Sequence, residues 1–259
     1  MSPIELSRFA VVIPAYNEAA TIRGVASRAL QQIPCVIVVD DGSTDDTAAV
    51  LAGLPVALLT NNENLGKAAS LWRGMQHALN AGVDAVITLD GDGQHEPEEI
   101  PRLIDEFQSR PDAIIIGSRL EDKHHIPTAR YYANRFANFW IAWAAGYPLA
   151  DSQSGFRVYP ARLLRGITIS HDKAASFVFE SEILIEAGRM GLNSVAVPIK
   201  AVYTGHARPS HFRGITDIAR IVRMVAWKLF SRGLYLQGLV RSLRRNAATE
   251  PFPSEFKRG

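Results

Sequence analysis

The sequence is poor in the features that mark secreted and membrane-spanning chains. It has a single cysteine, Cys35, so no disulfide can form within the chain, and a reducing, cytoplasmic setting is expected. Cys35 lies in the apolar run of residues 33–39, which predicts a buried strand residue rather than a reactive thiol. No run of about eighteen apolar residues occurs, which argues against a transmembrane helix. Glu5 and Arg8 precede the first apolar run, which Pro14 soon ends, and this is not the pattern of a signal peptide.

Charge is distributed unevenly along the 259 residues, whose formal net charge is +2. Residues 205–259 hold 11 Lys/Arg and 3 Asp/Glu, a net of +8, which leaves −6 for residues 1–204. An acidic body with a basic tail suggests a metal-binding core and a surface that meets anions; a tail of solvated charges is the alternative. A nucleic-acid partner is not expected, because the basic residues lie in one amphipathic helix and a tail without a recognisable module.

The first half of the chain alternates short β-branched runs with helical patterns. Strands are predicted at residues 9–13, 36–39, 56–59, 85–89 and 113–116, and helices near 18–32, 45–52, 66–81 and 97–109. The strand runs are almost continuously apolar, as parallel strands covered on both faces are. The pattern therefore predicts an α/β fold with a Rossmann-like, mostly parallel sheet flanked by helices.

The second half is less regular. A helix is predicted at residues 128–145, an irregular segment at 151–157, a helix at 179–190, a strand at 194–202, a loop at 203–213 and an amphipathic helix at 215–231. The expected organisation is a main domain over residues 1–213, followed over residues 214–259 by a basic amphipathic helix and tail that could contact a membrane or a partner protein.

A polar segment follows each of the five predicted strands of the first half. These segments are Pro14–Glu18, Asp40–Thr47, Asn61–Lys67, Asp90–His95 and Gly117–Arg119. Because ligands of such sheets bind beyond the carboxyl ends of the strands, the five segments are expected to form one site. Their coincidence is stronger evidence than any single motif.

The segment after the fourth strand has the composition of a metal site. Asp90 and Asp92, separated by Gly91, can approach one hard cation such as Mg²⁺ or Mn²⁺, and Gln94 could add a neutral oxygen. Such a cation would act as a Lewis acid on a leaving phosphate. An Asp-x-Asp triplet alone is weak evidence, since it is common in turns. His95 is expected to stabilise the turn rather than to bind the metal.

Two other polar residues allow a structural and a functional interpretation. Asp41 could accept hydrogen bonds from the amide edge of a base, while Ser43 or Thr44 is expected to cap a helix. Lys67 could open a helix beside a phosphate, or it could be a solvated lysine.

Three blocks of the sequence resemble the signature blocks of family 2 glycosyltransferases. They are Val12–Glu18, Val38–Asp45 and Leu89–His95. Within that family the chain is similar to the polyprenol (dolichol) phosphate mannosyltransferase and glucosyltransferase branch, on the segments Asn64–Lys67, Gly117–Arg119 and Asp151–Arg157. The resemblance spans about residues 9–213 and implies the GT-A fold.

The resemblance also implies roles for individual residues toward a nucleotide-diphosphate sugar. The nucleoside would be held by Pro14, Ala15, Tyr16, Glu18 and Asp41. Asp90, Gly91 and Asp92 would hold the ribose and diphosphate, with Asp92 and Gln94 as the main metal ligands beside Asp90. Arg119 would hold the phosphates of the donor or of the acceptor.

The acceptor site is implied less completely. Arg130 resembles the arginine that receives the acceptor phosphate, and a guanidinium suits this task because it can bind two phosphate oxygens. Asn134 stands where the branch often has a serine. Ser210 and His211 replace a Ser-Lys pair, and Arg208 is the candidate that would compensate as a phosphate ligand. The resemblance makes Asp92, Arg119 and Arg130 the expected catalytic residues.

The implied reaction is inverting transfer of a hexose, from GDP-mannose or UDP-glucose, to polyprenyl phosphate at a membrane surface. A phosphate acceptor is already an anion and needs positioning more than a base. One alternative is transfer to a hydroxyl of another lipid or glycan, for which Glu180 and Glu182 are candidate bases. Another is a non-catalytic nucleotide-sugar-binding or scaffold protein.

Two stretches are candidates for peripheral contact with the cytoplasmic face of a membrane. One is the aromatic face formed by Phe136, Phe139, Trp140, Ile141 and Trp143. The other is the helix at 215–231, with Trp227, a polar strip of Asp217, Arg220, Arg223 and Lys228, and an apolar side of Ile218, Val222, Val225 and Leu229. The alternative is a helix packed on the core with snorkelling cations.

Overall fold

A computed structural model describes residues 6–118, 128–168, 178–199, 214–231 and 233–243. Over residues 128–134 and 214–220 the description extends to the backbone only. Arg119, Arg208 and the loop predicted at 203–213 lie outside the described residues, and so does the predicted boundary between residues 213 and 214, which stays a prediction.

Seven strands form one sheet within these ranges. They are β1 (Phe9–Ala15), β2 (Val36–Asp40), β3 (Ala57–Thr60), β4 (Ala85–Thr88), β5 (Ala113–Ser118), β6 (Arg157–Pro160) and β7 (Asn193–Pro198). Their order is β3-β2-β1-β4-β6-β5-β7, and every pairing is parallel except those of β6 with β4 and β5. The predicted α/β fold with a mostly parallel sheet is confirmed.

Helices cover both faces of this sheet. They are α1 (Ile22–Gln32), α2 (Lys67–Asn80), α3 (Ile100–Ser109), α4 (Thr128–Ala145), α5 (Ala161–Gly166), α6 (Phe179–Arg189), α7 (Gly214–Phe230) and α8 (Leu236–Leu243). Side chains of α2, α4, α6 and α7 share one buried cluster with one sheet face. Those of α1 and α3 share a second cluster with the other face.

The strand register brings three of the polar segments together. Ala15 at the end of β1 pairs with Asp40 of β2, and Asp40 pairs with Thr60 at the end of β3. The chain therefore leaves these three neighbouring strands at the same level. β1 and the first four residues of β2 are apolar, as expected for strands whose two faces are both covered by helices. The prediction of two covered faces is wrong for β3, which lies at the sheet edge and leaves Leu58 exposed.

The helix predicted at residues 45–52 does not form. A short 3₁₀ turn, Ala49–Leu51, takes its place. The carboxylate of Asp45 accepts hydrogen bonds from the backbone and the hydroxyl of Thr47, which stabilises a local turn in competition with a helix. Ser43 and Thr44 consequently cap no helix. They bond instead to Asn17 across the site.

Two further sequence expectations need correction. The segment predicted as irregular through residue 157 ends one residue earlier, and Arg157 starts the short antiparallel strand β6, which the sequence pattern did not indicate. Cys35 is only partly buried and lies one residue before β2, although its carbonyl still accepts a hydrogen bond from the Val11 backbone.

Candidate active site

The segments that follow β1 and β2 are bonded to each other directly. The backbone N–H of Asn17 donates to Ser43 Oγ at 2.9 Å, and that of Glu18 donates to Thr47 Oγ1 at 2.8 Å. Asn17 has a φ of 56°, a left-handed conformation that asparagine tolerates better than most residues. These bonds fix the segment that carries Pro14, Ala15, Tyr16 and Glu18, of which Tyr16 is exposed.

Asp41 fastens the segment after β3 to this pair. Its buried carboxylate accepts hydrogen bonds from Asn61 Nδ2 at 2.8 Å and from the backbone N–H groups of Leu65 at 2.9 Å and Gly66 at 2.8 Å. A Cβ on Gly42 would lie 2.5 Å from the backbone carbon of Glu63, so only glycine permits this approach. The structure thus gives Asp41 a task in holding the loop, which sequence reasoning missed. Its contact with a base stays a prediction.

Asp90 lies at the centre of a charged cluster. Its Oδ1 is 2.7 Å from Lys67 Nζ, and the same ammonium is 3.3 Å from Glu180 Oε1. His95, which is buried, has its Nε2 3.9 Å from Asp90 Oδ2. Lys67 is the first residue of α2, and its side chain, although 38% exposed, is ion-paired; its place beside a phosphate stays a prediction. Burial of the ammonium works against its charge, but Asp90 and Glu180 outweigh burial and raise the pKa of Lys67 above its ordinary value.

The turn after Asp90 depends on small residues. Gly91 is buried, and a Cβ there would lie 3.2 Å from the carbonyl oxygen of Pro14. Thr21 Oγ1 donates to the carbonyl of Gly91 at 2.7 Å, which ties the turn to the start of α1. Farther along, the backbone N–H of Gln94 donates to Asp92 Oδ1 at 3.0 Å. The polar edge, as we name residues 14–18, 40–47, 61–67 and 90–95, is therefore one bonded surface.

The oxygen donors of the polar edge suit a hard divalent cation. Asp90, Asp92 and Gln94 offer two carboxylates and an amide oxygen from one turn, and all three are half-buried. No group of three or more His, Cys, Asp or Glu side chains that could hold a metal by itself occurs among the described residues. The set therefore fits a site in which phosphate and water oxygens complete the coordination, as Mg²⁺ favours.

The segment 151–155 forms a wall beside Asp90. Gly155 packs so closely that a Cβ there would lie 2.7 Å from Asp90 Oδ2, and its carbonyl accepts a hydrogen bond from Thr88 Oγ1 at 2.7 Å. Asn138 of α4 binds the other end of the segment, because its Oδ1 accepts from the backbone and hydroxyl of Ser152. The wall is thus tied to the sheet and to α4.

A fully buried arginine connects this wall with α6. Arg157 donates from Nε to the carbonyl of Ser154 at 2.6 Å, from Nη2 to that of Ser152 at 2.8 Å, and from Nη1 to that of Glu180 at 3.0 Å. Sequence reasoning missed this role, since a buried arginine bonded to carbonyls has no signature in the pattern. The sequence pattern suggested Glu180 only as a base for a hydroxyl acceptor.

The structure separates the two candidate bases. Glu180 reaches the polar edge, whereas Glu182 lies 2.9 Å from Lys228 Nζ of α7, away from Asp90. Lys228 also lies 2.5 Å from Glu186 and its side chain is 16% exposed, so this member of the predicted polar strip packs against α6. Arg130 and Asn134 lie on α4 where the description covers the backbone only, and their roles stay predictions.

A mostly parallel α/β sheet whose strand ends gather carboxylates and a lysine has the architecture of a nucleotide-binding enzyme. The model of the family described as glycosyl transferase family 2 matches residues 10–166, more than half of the sequence. The chain belongs to family 2 of the glycosyltransferases, as the sequence blocks predicted, and is a glycosyltransferase.

Several similar proteins are named as enzymes that transfer a sugar to a polyprenyl or dolichyl phosphate. The chain is 30% identical to the polyprenol monophosphomannose synthase of Mycolicibacterium smegmatis, over 74% of this chain and 76% of that protein. It is 29% identical to the undecaprenyl-phosphate mannosyltransferase of Micrococcus luteus, over 87% of this chain and 96% of that protein. It is also 29% identical to the UDP-N-acetylglucosamine–dolichyl-phosphate N-acetylglucosaminyltransferase of Methanococcus voltae, over 88% and 95%.

Solved structures confirm the expected GT-A fold. The mannosyl-3-phosphoglycerate synthase of Rubrobacter xylanophilus matches with a TM-score of 0.65 at 20% identity, covering 90% of this chain and 80% of that one. The glucosyl-3-phosphoglycerate synthase of Mycobacterium tuberculosis, in complex with Mn²⁺, UDP and phosphoglyceric acid, matches with a TM-score of 0.62 at 21% identity, covering 89% and 82%. At these identities the likeness concerns the fold alone.

Proposed function

We propose that the protein transfers a hexose, with inversion, from a nucleotide-diphosphate sugar to polyprenyl phosphate at the cytoplasmic face of a membrane. GDP-mannose and UDP-glucose are the donors to test first. The observation that carries the proposal is the cluster of Asp90, Lys67 and Glu180 at the ends of parallel strands, in a chain whose relatives are named for this chemistry.

The donor would lie along the polar edge. The nucleoside would contact Pro14, Ala15, Tyr16 and Glu18, in a segment that hydrogen bonds already hold rigid. Such preorganisation favours binding because little freedom is lost when the ligand arrives. Asp41 would act mainly by fixing the loop over residues 61–66, and the ribose and diphosphate would lie against the turn at Asp90–Asp92.

A divalent cation, Mg²⁺ or Mn²⁺, would be held by Asp90, Asp92 and Gln94. When bound, it would supply Lewis-acid stabilisation of the negative charge on the leaving nucleoside diphosphate. Lys67 would add a second positive charge at the same place, because its ammonium already lies 2.7 Å from Asp90. The glucosyl-3-phosphoglycerate synthase that shares this fold was crystallised with UDP and Mn²⁺, which favours a divalent cation without identifying its ligands in this chain.

The acceptor phosphate would be bound by arginines. Arg119 and Arg130, with Asn134 and Arg208, are the proposed ligands. An acceptor that is already ionised needs only to be oriented at the anomeric carbon, so this half of the reaction requires no base from the protein. Transfer to a hydroxyl is the second candidate, and the carboxylate of Glu180 at the polar edge is the observation that favours it.

The C-terminal helices supply a surface that suits lipid. Trp227 and Phe230, on the last turn of α7, are 74% and 70% exposed. Four more exposed apolar side chains follow, and we name the six together the C-terminal surface: Trp227, Phe230, Leu234, Leu236, Val240 and Leu243. Exposed apolar patches mark sites of protein or membrane contact, and the net charge of +8 over residues 205–259 favours an anionic bilayer.

The aromatic face of α4 adjoins this surface but is only partly available. Trp143 Nε1 donates to the carbonyl of Leu234 at 3.1 Å, and Trp140 stacks on Trp143. Phe136 and Phe139 are exposed, whereas Ile141 is in the core, so its predicted place on a lipid-facing side is wrong. Ile221, Val225 and Leu229 bury one side of α7 in the core, as the alternative interpretation expected. No helix in the described ranges is long and apolar enough to cross a bilayer.

The proposal is tested by following labelled sugar into an organic-extractable lipid. GDP-mannose, UDP-glucose and UDP-N-acetylglucosamine are each offered with polyprenyl phosphate and Mg²⁺ or Mn²⁺, to the full chain and to Asp92→Asn. Labelling from one donor that requires the metal and falls at least about 100-fold in the variant supports the proposal, since metal stabilisation is worth several kcal/mol.

Two other results would redirect it. If donors bind with metal but no lipid is labelled, the phosphate acceptor is wrong and hydroxyl acceptors become the next test. If no nucleotide-sugar binds, the proposed transfer is wrong and the alternative of a scaffold protein is favoured. The presence of all three proposed metal ligands argues against that alternative, because a scaffold protein would not need them.

A further inference from the structure

Glu180 connects the second half of the chain to the polar edge. It lies in the first turn of α6, and its Oε1 is 3.3 Å from Lys67 Nζ. Because the same ammonium is 2.7 Å from Asp90, Lys67 lies between one carboxylate from each half of the protein. The Glu180 side chain is 18% exposed and the Lys67 side chain 38%, so water screens this contact only in part.

The backbone of Glu180 is also held in place, by a hydrogen bond. Its carbonyl accepts a hydrogen bond from the buried Arg157, which also binds the carbonyls of Ser152 and Ser154. Gly155, which follows Ser154 in the chain, lies against the carboxylate of Asp90. One arginine therefore fixes both the wall beside Asp90 and the start of the helix that carries Glu180.

The other glutamates of α6 serve a different contact. Glu182 and Glu186 both bind Lys228 of α7, at 2.9 and 2.5 Å. Their side chains are 16% and 17% exposed, close to the value for Glu180. The three glutamates are thus similarly buried, and among them Glu180 is the one that forms an ion pair with the polar edge.

We propose that Glu180 is a positioning residue for the donor diphosphate, acting through Lys67 rather than by touching the transferred sugar. The inference rests on the proposed function for the identity of the ligand. Glu180 restrains the flexible lysine so that its ammonium faces the position of the diphosphate. A lysine side chain loses entropy when it is held in one position, so a fixed partner that orients it beforehand favours binding.

Charge alone and positioning predict opposite outcomes for Glu180→Gln. The substitution removes a negative charge near a proposed anion site, which by itself would tighten nucleoside-diphosphate binding. Loss of the restraint on Lys67 would weaken it. Binding that is weaker in the variant therefore identifies positioning.

The experiment measures the Kd of UDP and of GDP, with Mg²⁺, by isothermal titration on the full chain. The variants are Glu180→Gln, Lys67→Met, the double variant, and Glu186→Gln as a control of equal burial on the same helix. We expect Glu180→Gln to weaken binding at least about fivefold, Glu186→Gln to change it less than about twofold, and the double variant to bind no more weakly than Lys67→Met.

Three results would overturn the proposal: unchanged or tighter binding in Glu180→Gln, equal losses in Glu180→Gln and Glu186→Gln, or losses that multiply in the double variant. Thermal unfolding of each variant identifies a loss that comes from misfolding. Because the readout needs no acceptor, it remains informative if sugar transfer to polyprenyl phosphate is absent, and failure of the two proposals can be told apart.

Discussion

Polar side chains of the polar edge are bonded to one another, and several of them are buried, whereas the apolar side chains of the C-terminal surface project into solvent. Asp41 is 3% exposed and accepts three hydrogen bonds, while Trp227 is 74% exposed. Polar side chains are usually exposed and large apolar ones usually buried, and each of these regions shows the opposite. Buried polar clusters and exposed apolar patches are both common where proteins contact other molecules, so the comparison is in keeping with the proposed donor site and the proposed lipid surface.

The largest effect is expected from breaking the buried polar contacts that hold the site. Arg157→Met would leave the carbonyls of Ser152, Ser154 and Glu180 without this donor. At about 1–3 kcal/mol for each unsatisfied buried group, the free energy of unfolding should fall by at least about 3 kcal/mol. Urea unfolding measures the change.

Arg162→Met provides the matched control. Arg162 pairs with Asp112 at the surface, so its loss should cost less than about 1 kcal/mol. Equal losses in the two variants would show that Arg157 does not hold the site wall.

A smaller loss in the free energy of unfolding is expected from Gly42→Ala. Two costs combine in this variant. Gly42 has a φ of 68°, and its Cβ would meet the backbone of Glu63. Gly53 has a φ of 82° but open space around it. Both variants should lose about 1–2 kcal/mol from the left-handed conformation. Only Gly42→Ala should also displace the loop over residues 61–66 and weaken nucleoside-diphosphate binding, which titration calorimetry would detect. Similar affinities in both variants would argue against a role of that loop in binding.

The pH dependence of the Lys67 contacts should be weak near neutrality. Because Asp90 and Glu180 raise the pKa of Lys67, its ion pairs stabilise the fold fully below the ordinary lysine pKa of about 10.4 and lose this contribution only as pH rises through the higher folded value. The difference in unfolding free energy between the protein and Lys67→Met should therefore stay constant from about pH 7 to pH 9. A difference that vanishes by pH 9 would contradict the raised pKa.

Much of the fold could be predicted because hydrophobic patterning is local. The five strands of the first half and the helices starting at Lys67 and Thr128 lie within a few residues of their predicted positions. β6 escaped prediction because it is only four residues long: Val158 and Tyr159 favour a strand, but Arg157 and Pro160 flank them and leave too short a run to recognise. The helix expected at 45–52 failed because side-chain bonds of Asp45 stabilise a turn instead.

Many residues of the site could be predicted from the sequence, but not which of them contact one another. Runs of polar residues after strands placed Asp41, Lys67 and Asp90 at one edge, as found. The contacts of Glu180 and Arg157 join segments far apart in the chain, and spacing within a sequence carries no information about such pairs. The same holds for Lys228, which a helical pattern assigns to a polar face although α6 buries it.

One measurement distinguishes the role of the polar edge from that of the C-terminal surface. The test variant carries both Trp227→Ser and Phe230→Ser. Transfer rates are compared for a long polyprenyl phosphate in anionic vesicles and for a short, water-soluble prenyl phosphate, using the donor that labels lipid. The account predicts that the variant loses most of its activity on vesicles, keeps its activity on the soluble acceptor, and unfolds within about 0.5 kcal/mol of the parent, because both side chains are exposed. Equal activity of variant and parent on vesicles, or equal loss on both acceptors, would contradict it.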